Sequence, residues 1–239
     1  MSARRFWPVF LLLAAISGHM GAAYAGPPDY APERAAMVER LRSSGITNQY
    51  VLAAMRKVPR HLFVQPADRA RAYDETSIPV GAGEVLYSPK MVATAMQMLA
   101  PKPGDKVLQV GAGCGYCTAM LCEITPKVFA VDLRSDLLRI AKARVQALGY
   151  SSVKWRNEKG CVGWAENGLY DAILVMCAAD KVPKELINQL KDGGRLVIPV
   201  GRGPEQTITC LTKAGDRLRS EAVVMPARVE PMVCQPPLP

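Results

Sequence analysis

One segment of the chain, residues 106–132, constrains the fold more than any other. A short apolar run over 106–110 is followed by alternating glycines and then by a helix-like stretch. The three glycines are Gly111, Gly113 and Gly115. A second apolar run ends in Asp132, about 20 residues beyond the loop, where a carboxylate can accept both hydroxyls of a ribose. Because glycine permits the tight turn and the close approach of a ligand, the segment predicts the nucleoside-binding half of a doubly wound α/β sheet.

The spacing of the three glycines separates two kinds of nucleoside ligand. Dinucleotide-binding proteins read Gly-x-Gly-x-x-Gly, and that motif contacts a pyrophosphate. The Gly-x-Gly-x-Gly of this chain favours S-adenosylmethionine as the cofactor, because this molecule carries a nucleoside but no phosphate. The alternative interpretation is a tight turn that binds nothing, and the presence of Asp132 argues against it.

Strands and helices alternate after the turn-rich segment 101–105. The predicted strands cover 106–110, 128–132, 153–156, 170–176 and 194–200, with helices near 115–124, 135–148 and 183–190. Two more β runs, 207–212 and 221–225, predict C-terminal antiparallel edge strands. Helical patterns at 32–42, 47–58 and 89–99 come earlier, with Thr47 and Ser88 as predicted N-caps. We therefore expect a doubly wound, Rossmann-like core over 101–239 and an N-terminal helical extension over 26–100.

The first 25 residues have the pattern of a secretory signal peptide. Arg4 and Arg5 form a positive start, an apolar stretch covers 6–16, and Ala23-Tyr24-Ala25 is a small-x-small cleavage site. The apolar stretch is too short to span a bilayer as a stable helix, so the pattern favours a signal over a membrane anchor. We expect cleavage after Ala25, export to the periplasm and no stable membrane insertion. Without a functional signal the location would be cytoplasmic.

Charge and cysteine content limit the kinds of partner, metal site and disulfide that we expect. The 239 residues include 30 basic and 21 acidic side chains, a formal charge of +9, without a basic run that contains aromatic residues. We therefore expect no nucleic-acid partner, and we expect a monomer. Cys114 and Cys117 have the spacing of a redox pair, but no second Cys or His pair accompanies them, so we expect no metal. Most of the seven cysteines are interpreted as small buried apolar residues, and a Cys114–Cys117 disulfide is the alternative.

Between Val58 and Val233 the chain resembles bacterial protein-L-isoaspartate O-methyltransferases. The matching pieces, in the order of that family, are Val58–Val64, Ala72–Asp74, Ile78–Gly83, Lys102–Asp105, the glycine loop, Ala147–Tyr150, Gly163–Trp164, Tyr170–Ile173 and Leu190–Gly201. The two Ile-Pro-Val-Gly segments, at 78–81 and 198–201, are together specific to the family. The resemblance implies an enzyme that uses S-adenosylmethionine to esterify carboxylates of L-isoaspartyl and D-aspartyl residues in damaged proteins or peptides, for their repair.

The resemblance also implies roles for individual residues. The cofactor contacts would be Gly111, Gly113, Gly115, Asp132, Leu133, Lys159 and Gly160, with the last two at the adenine end. Residues 84–88 would form the wall between cofactor and substrate. Tyr87 and Ser88 in this wall are the candidates for the catalytic hydroxyl that positions the substrate.

Several of these positions depart from the family's pattern. Family members usually read Gln-Thr-Ile-Ser-Gln-Pro where this chain has Glu84–Pro89, so Tyr87 occupies the serine's place and Ser88 lies one position late. Lys159 replaces an acid, although Glu158 beside it could accept the adenine amino hydrogens. Two further replacements are Gln109 for the acid before the glycine loop and Met176–Ala178 for Thr-Ala-Ala. Tyr87 either donates its hydroxyl to the substrate or fills the pocket and blocks it.

The chemistry of carboxyl methylation tolerates such changes. A substrate carboxylate is ionised at neutral pH, so no general base is needed, and the enzyme supplies orientation and the removal of water. His61 is accordingly interpreted as a packing or capping residue. Two alternative functions remain. One is an exported, non-catalytic binding or scaffold protein on the same fold, and the other is a nicotinamide oxidoreductase, which the glycine spacing disfavours.

Overall fold

A mixed β-sheet with packed helices organises the computed structural model, which describes residues 29–215 and 217–234. The helices are α1 (Ala31–Ser43), α2 (Gln49–Lys57), α3 (Pro89–Leu99), α4 (Tyr116–Cys122), α5 (Ser135–Ala147) and α6 (Lys184–Asn188). The signal-like segment 1–25 lies outside the described residues. Among those that are described, no helix is both long and apolar enough to cross a membrane.

The strands form a short hairpin and a larger sheet. The hairpin pairs β1 (Ile78–Gly81) with β2 (Glu84–Leu86) in antiparallel fashion. The larger sheet contains β3 (Lys106–Val110), β4 (Lys127–Asp132), β5 (Lys154–Asn157), β6 (Tyr170–Val175), β7 (Leu190–Val200), β8 (Gln206–Ala214) and β9 (Arg217–Ala227). Its strand order is β5-β4-β3-β6-β7-β8-β9; β3 to β7 are parallel, β8 pairs antiparallel with β7, and β9 pairs antiparallel with β8. The predicted doubly wound sheet with antiparallel edge strands is confirmed.

Most predicted element ends lie within a few residues of the observed ends. One predicted cap and one short hairpin differ from the structure. The predicted N-cap Thr47 is wrong, because α2 begins at Gln49 and the Asn48 side chain accepts the backbone N–H groups of Tyr50 and Val51. The β1–β2 hairpin was not predicted. Its strands have only four and three residues, too few for an alternating pattern to stand out.

The sheet topology determines where a ligand can bind. From β3 the chain proceeds outward through β4 and β5, and it then returns to β6 on the other side of β3. This reversal leaves a crevice outside the carboxyl ends of β3 and β6, the usual ligand position in open α/β sheets. Two backbone hydrogen bonds fix the chain there, from Gly111 N to Val131 O (2.9 Å) and from Met176 N to Val110 O (2.9 Å).

The apolar core lies on both faces of the sheet. Adjacent residues of β3, Val107 and Leu108, belong to separate apolar clusters, as the alternation of side chains along a strand requires. Met55 of α2 and Val92 of α3 are buried in the same cluster as Val107. The N-terminal helices therefore pack onto the sheet and hold the β1–β2 hairpin over its carboxyl edge.

Candidate active site

A cavity of about 430 Å³ occupies the crevice outside β3 and β6. Its walls are the β1–β2 hairpin, the glycine loop, the ends of β4 and β6, and the segment 230–233. The sequence-predicted residues that line it are Tyr87, Gly111, Gly113, Asp132, Leu133 and Gly160. Ser88, Gly115 and Lys159 are not among its lining residues. Most of the predicted site is thus brought together, and the three exceptions have structural explanations.

Asp132 holds the glycine loop in place. Its Oδ2 accepts the backbone N–H of Gly113 at 2.9 Å, and its Oδ1 accepts the N–H of Arg134 at 2.9 Å. Each carboxylate oxygen keeps a further lone pair that can accept a ribose hydroxyl. Gly113 has a φ of 51°, and a Cβ there would lie 3.0 Å from Oε2 of Glu84. Glycine at this position therefore lets the hairpin close tightly over the loop.

Gly115 serves helix packing rather than the cavity. It is the N-cap of α4 with a φ of 93°, and a Cβ would lie 3.1 Å from Cα of Ala141 in α5. The third glycine of the motif therefore allows α4 and α5 to approach each other, and its predicted cofactor contact is not seen in the geometry.

The two candidate hydroxyls of the wall have different surroundings. Ser88 Oγ accepts the backbone N–H of Met91 at 3.3 Å and caps α3, which begins at Pro89. Tyr87 instead lines the cavity, and the backbone N–H of Glu230 contacts its phenol oxygen. Burial raises the pKa of Tyr87, so its hydroxyl stays protonated at neutral pH. The geometry therefore favours Tyr87 over Ser88 as the hydroxyl that faces a substrate.

Lys159 does not obstruct the adenine end of the cavity. Its backbone N–H donates to Oε1 of Glu158 at 2.9 Å, and the same carboxylate pairs with Arg156 at 3.4 Å. The apolar side chains of Leu133 and Met232 line this end, together with Gly160. A Cβ on Gly160 would lie 2.7 Å from Cγ1 of Val110, so the glycine is needed for close packing. Neither Glu158 nor Lys159 is among the lining residues of this cavity, so their contacts with adenine stay predictions.

Sequence reasoning missed the C-terminal wall of the cavity. Residues 230–233 follow β9, and two backbone hydrogen bonds hold them beside the end of β6: Ala178 N to Glu230 O (2.8 Å) and Met232 N to Ala178 O (2.6 Å). Nothing in the local sequence of this segment signals a site. Its position at the cavity depends on the pairing with Ala178 and on two hydrogen bonds between the adjacent Val229 and Gln206.

Gln109 and Cys177 are two further lining residues that carry no charge at neutral pH. Oγ1 of Thr118 donates to Oε1 of Gln109 at 2.5 Å, and Nε2 of Gln109 donates to Gly111 O at 3.2 Å. Burial raises the pKa of the Cys177 thiol to about 12. Neither group supplies an acid, a base or a nucleophile at the floor of the cavity.

The remaining candidate groups lie apart from the chemistry. His61 is buried, and its Nδ1 is 2.8 Å from the hydroxyl of Tyr73, consistent with a packing role. Burial lowers the pKa of His61, which keeps the ring neutral at neutral pH. Cys114 and Cys117 are both free thiols, as are the other cysteines, so the alternative disulfide is not formed. Within the described ranges, no group of three or more metal-ligating side chains occurs.

A second cavity, of about 700 Å³, adjoins the first. Glu230 and Pro231 line both, so the two cavities meet along the C-terminal wall. Arg202 and Arg228 line the second one, and Arg202 pairs with Asp180. Arg228 therefore provides a cation in a position suited to an anionic substrate.

Together, the fold and the site define a class of protein. A glycine loop of Gly-x-Gly-x-Gly spacing, held by the acid that ends the next strand and set beside a cavity with apolar lining residues, is the arrangement of S-adenosylmethionine-dependent methyltransferases on a Rossmann-like sheet. The particular family follows from comparison with known proteins. Residues 32–235 match the family model of protein-L-isoaspartate(D-aspartate) O-methyltransferase, and the chain belongs to that family. The resemblance seen in the sequence is thereby confirmed.

Similar proteins cover nearly the same length as this chain. The protein-L-isoaspartate O-methyltransferase of Hahella chejuensis is 42% identical over 192 residues, which are 80% of this chain and 90% of the relative. The protein of the same name from a Roseiflexus species is 43% identical over 193 residues, 81% of this chain and 88% of the relative.

Solved structures resemble the fold. A protein-L-isoaspartate O-methyltransferase structure has a TM-score of 0.74 at 24% identity, and the match covers 83% of this chain and 65% of that chain. A Plasmodium falciparum structure of the same family, in complex with S-adenosyl-L-homocysteine, has a TM-score of 0.71 at 20% identity. That match covers 87% of this chain and 100% of the other.

Proposed function

We propose that this chain is a protein-L-isoaspartate O-methyltransferase that uses S-adenosylmethionine to esterify carboxylates of damaged aspartyl residues in proteins or peptides. One observation carries the proposal. A nucleoside-type cavity, with its glycine loop fixed by Asp132, meets a cavity lined by Arg228, and Tyr87 lines the former on the wall between the hairpin and residue 230. Such a juxtaposition suits the transfer of a group from a nucleoside cofactor to an anion.

The residues of the first cavity fit the cofactor. Asp132 retains acceptor capacity for ribose hydroxyls, Gly111 and Gly113 permit close approach, and Leu133 and Met232 offer apolar surface to adenine. When bound, S-adenosylmethionine supplies an activated methyl group on a sulfonium.

The chain's own residues orient the substrate and exclude water. Tyr87 lines the cavity and its phenol stays protonated, so its O–H can donate to a substrate carboxylate. Arg228 attracts that carboxylate to the mouth of the site. Because the carboxylate is already ionised, no proton has to be removed, and the catalytic contribution is positioning in a site closed by the hairpin and residues 230–233.

The test is methyl transfer to a peptide that contains one L-isoaspartyl residue, compared with the same peptide carrying ordinary aspartate. We expect methyl ester only on the isoaspartyl peptide. The variant Asp132→Asn should bind S-adenosylhomocysteine about tenfold more weakly, since an amide oxygen replaces a charged acceptor and one loop contact is lost. Glu39→Gln, an exposed acid-to-amide change on α1, is the control and should leave binding unchanged. Calorimetric silence of the wild type at millimolar cofactor would instead support the non-catalytic scaffold.

We also propose that the protein is exported to the periplasm as a monomer, with cleavage after Ala25. The support is Arg4 and Arg5, the apolar stretch 6–16 and the Ala23-Tyr24-Ala25 site. Intact-mass analysis of protein from the envelope fraction is expected to give an amino terminus at Gly26, and light scattering should give the mass of one chain. Full-length protein confined to the cytosol would contradict export.

A further inference from the structure

Glu84 places a carboxylate without a partner in the cofactor cavity. It begins β2, lines the cavity, and lies with Oε2 at 3.0 Å from where a Cβ of Gly113 would be. In the part of the chain that the structure describes, no hydrogen bond or ion pair joins its side chain to another residue. The nearby cation, Arg134, is engaged instead by Asp136 at 2.9 Å and by the carbonyl of Ala82. A half-buried charge of this kind is unfavourable unless a ligand compensates it.

The surroundings of Glu84 favour a cationic ligand. Asp132, Glu230 and Asp136 all face it and disfavour its ionised form, whereas Arg134 favours that form. Burial and these like charges raise the pKa of Glu84 above its ordinary value. A cation bound between Glu84 and the glycine loop would relieve this cost, because it supplies the opposite charge that the protein lacks there.

The floor beneath the glycine loop offers no competing charge. Gln109, which takes the place of an acid in the family's pattern, is neutral and is already bonded to Thr118 and to Gly111 O. Glu84 in turn takes the place of a family glutamine. In this chain the acid beside the glycine loop therefore lies in the β1–β2 hairpin and not in β3. The amino-acid part of the cofactor carries an ammonium group with three N–H donors, which such an acid can accept.

We propose that the Glu84 carboxylate binds the α-ammonium group of the cofactor's amino-acid part, a role that rests on the proposed function. The ammonium is the better candidate than the sulfonium, because only the ammonium has hydrogens to donate to a carboxylate oxygen. Asp132 then binds the ribose hydroxyls, and Glu84 binds the ammonium group of the same cofactor.

Calorimetry with paired ligands tests this assignment on the full chain. S-adenosylhomocysteine carries the ammonium without the sulfonium, and 5′-methylthioadenosine carries the same nucleoside thioether without the amino-acid part. We expect Glu84→Gln to weaken binding of S-adenosylhomocysteine tenfold or more and to change binding of methylthioadenosine less than twofold. Glu39→Gln removes one exposed charge on α1, where Glu39 pairs with Arg42 and Arg56, and should leave both affinities unchanged.

The unfolding temperature and the pH dependence of binding distinguish a binding role of Glu84 from a structural one. Burial and neighbouring like charges disfavour the carboxylate of Glu84. We therefore expect ligand-free Glu84→Gln to unfold at the same temperature as the wild type or higher. Wild-type affinity for S-adenosylhomocysteine should fall as pH is lowered through the raised pKa of Glu84, because the protonated acid loses its charge, and the variant should lack this dependence.

Four outcomes would overturn the assignment. An unchanged affinity of Glu84→Gln for S-adenosylhomocysteine removes the contact altogether. Equal losses for both ligands would mean that Glu84 supports the nucleoside or the loop. A loss confined to S-adenosylmethionine would place Glu84 at the sulfonium. Failure of the wild type to bind either ligand would remove the proposed function itself, and this is distinguishable because methylthioadenosine does not need Glu84.

Discussion

Replacing Arg60 with methionine is expected to lower the free energy of unfolding by about 3 kcal/mol, because two buried carbonyl groups lose their donors. Arg60 is fully buried, and its Nε donates to Ala72 O at 2.6 Å while its Nη2 donates to Tyr87 O at 2.5 Å. The guanidinium also lies 5.1 Å above the ring of Tyr116. Methionine keeps an unbranched side chain, shorter than that of arginine, and donates no hydrogen bond. Thermal unfolding should therefore shift downward by about 6–12 °C.

Two further variants separate the hydrogen bonds of Arg60 from its volume and charge. Arg60→Lys keeps the charge, but one ammonium nitrogen cannot reach two carbonyls held by a planar fork, so an intermediate loss is expected. Arg56→Met removes an exposed arginine that pairs with Glu39, and it should change stability by less than ~0.5 kcal/mol. Equal melting temperatures for Arg60→Met and Arg56→Met would show that the buried bonds contribute nothing.

Arg60 also shows that a sequence motif does not reveal the contacts of its residues. Val58-Pro59-Arg60 contributed to the family resemblance, but only the structure reveals that its arginine holds the backbone of Tyr87. Because the bond spans 27 residues of sequence, no local pattern could predict it. The buried guanidinium of Arg60 thereby links the N-terminal region to residues 84–88, the wall of the site.

The predicted site residues that the structure brings together are positioned by local geometry. Asp132 ends a buried strand that runs beside β3, so strand alternation and glycine spacing alone bring its carboxylate to the loop. Gly111 and Gly113 lie at the carboxyl end of that neighbouring strand for the same reason. Parallel pairing converts sequence order into spatial proximity at one edge of the sheet.

The predicted residues that lie away from the cavity are explained by local and by distant contacts. Ser88 was predicted both as an N-cap and as a hydroxyl of the wall, and the structure shows the cap. Lys159 does not line the cavity, and its place in the motif does not specify the direction of its loop. The wall at 230–233 depends on hydrogen bonds to Ala178, more than 50 residues earlier, which periodicity cannot report.

Removing only the hydroxyl of Tyr87 is expected to slow methylation of an isoaspartyl peptide on the order of 10²-fold. A hydrogen bond to a charged group contributes about 1.5–3 kcal/mol, and each 1.4 kcal/mol of lost transition-state stabilisation is about tenfold in rate. Tyr87→Phe keeps the ring that lines the cavity and deletes the hydroxyl that we assign to the substrate carboxylate. Calorimetric affinity for S-adenosylhomocysteine should stay within about twofold, because the cofactor contacts are elsewhere.

Tyr87→Ser distinguishes a donor from an obstruction. If the ring fills the substrate pocket, the small serine opens it and methylation accelerates, while Tyr87→Phe stays as slow as the wild type. If the phenol oxygen positions the carboxylate, serine is too short to reach from the same backbone site and the rate falls with both variants. We expect the second result, because Tyr87 lines the cavity and burial keeps its phenol protonated, so the hydroxyl can donate. A faster Tyr87→Ser enzyme would reverse the role assigned to Tyr87 and make it a block on a substrate site that is otherwise complete.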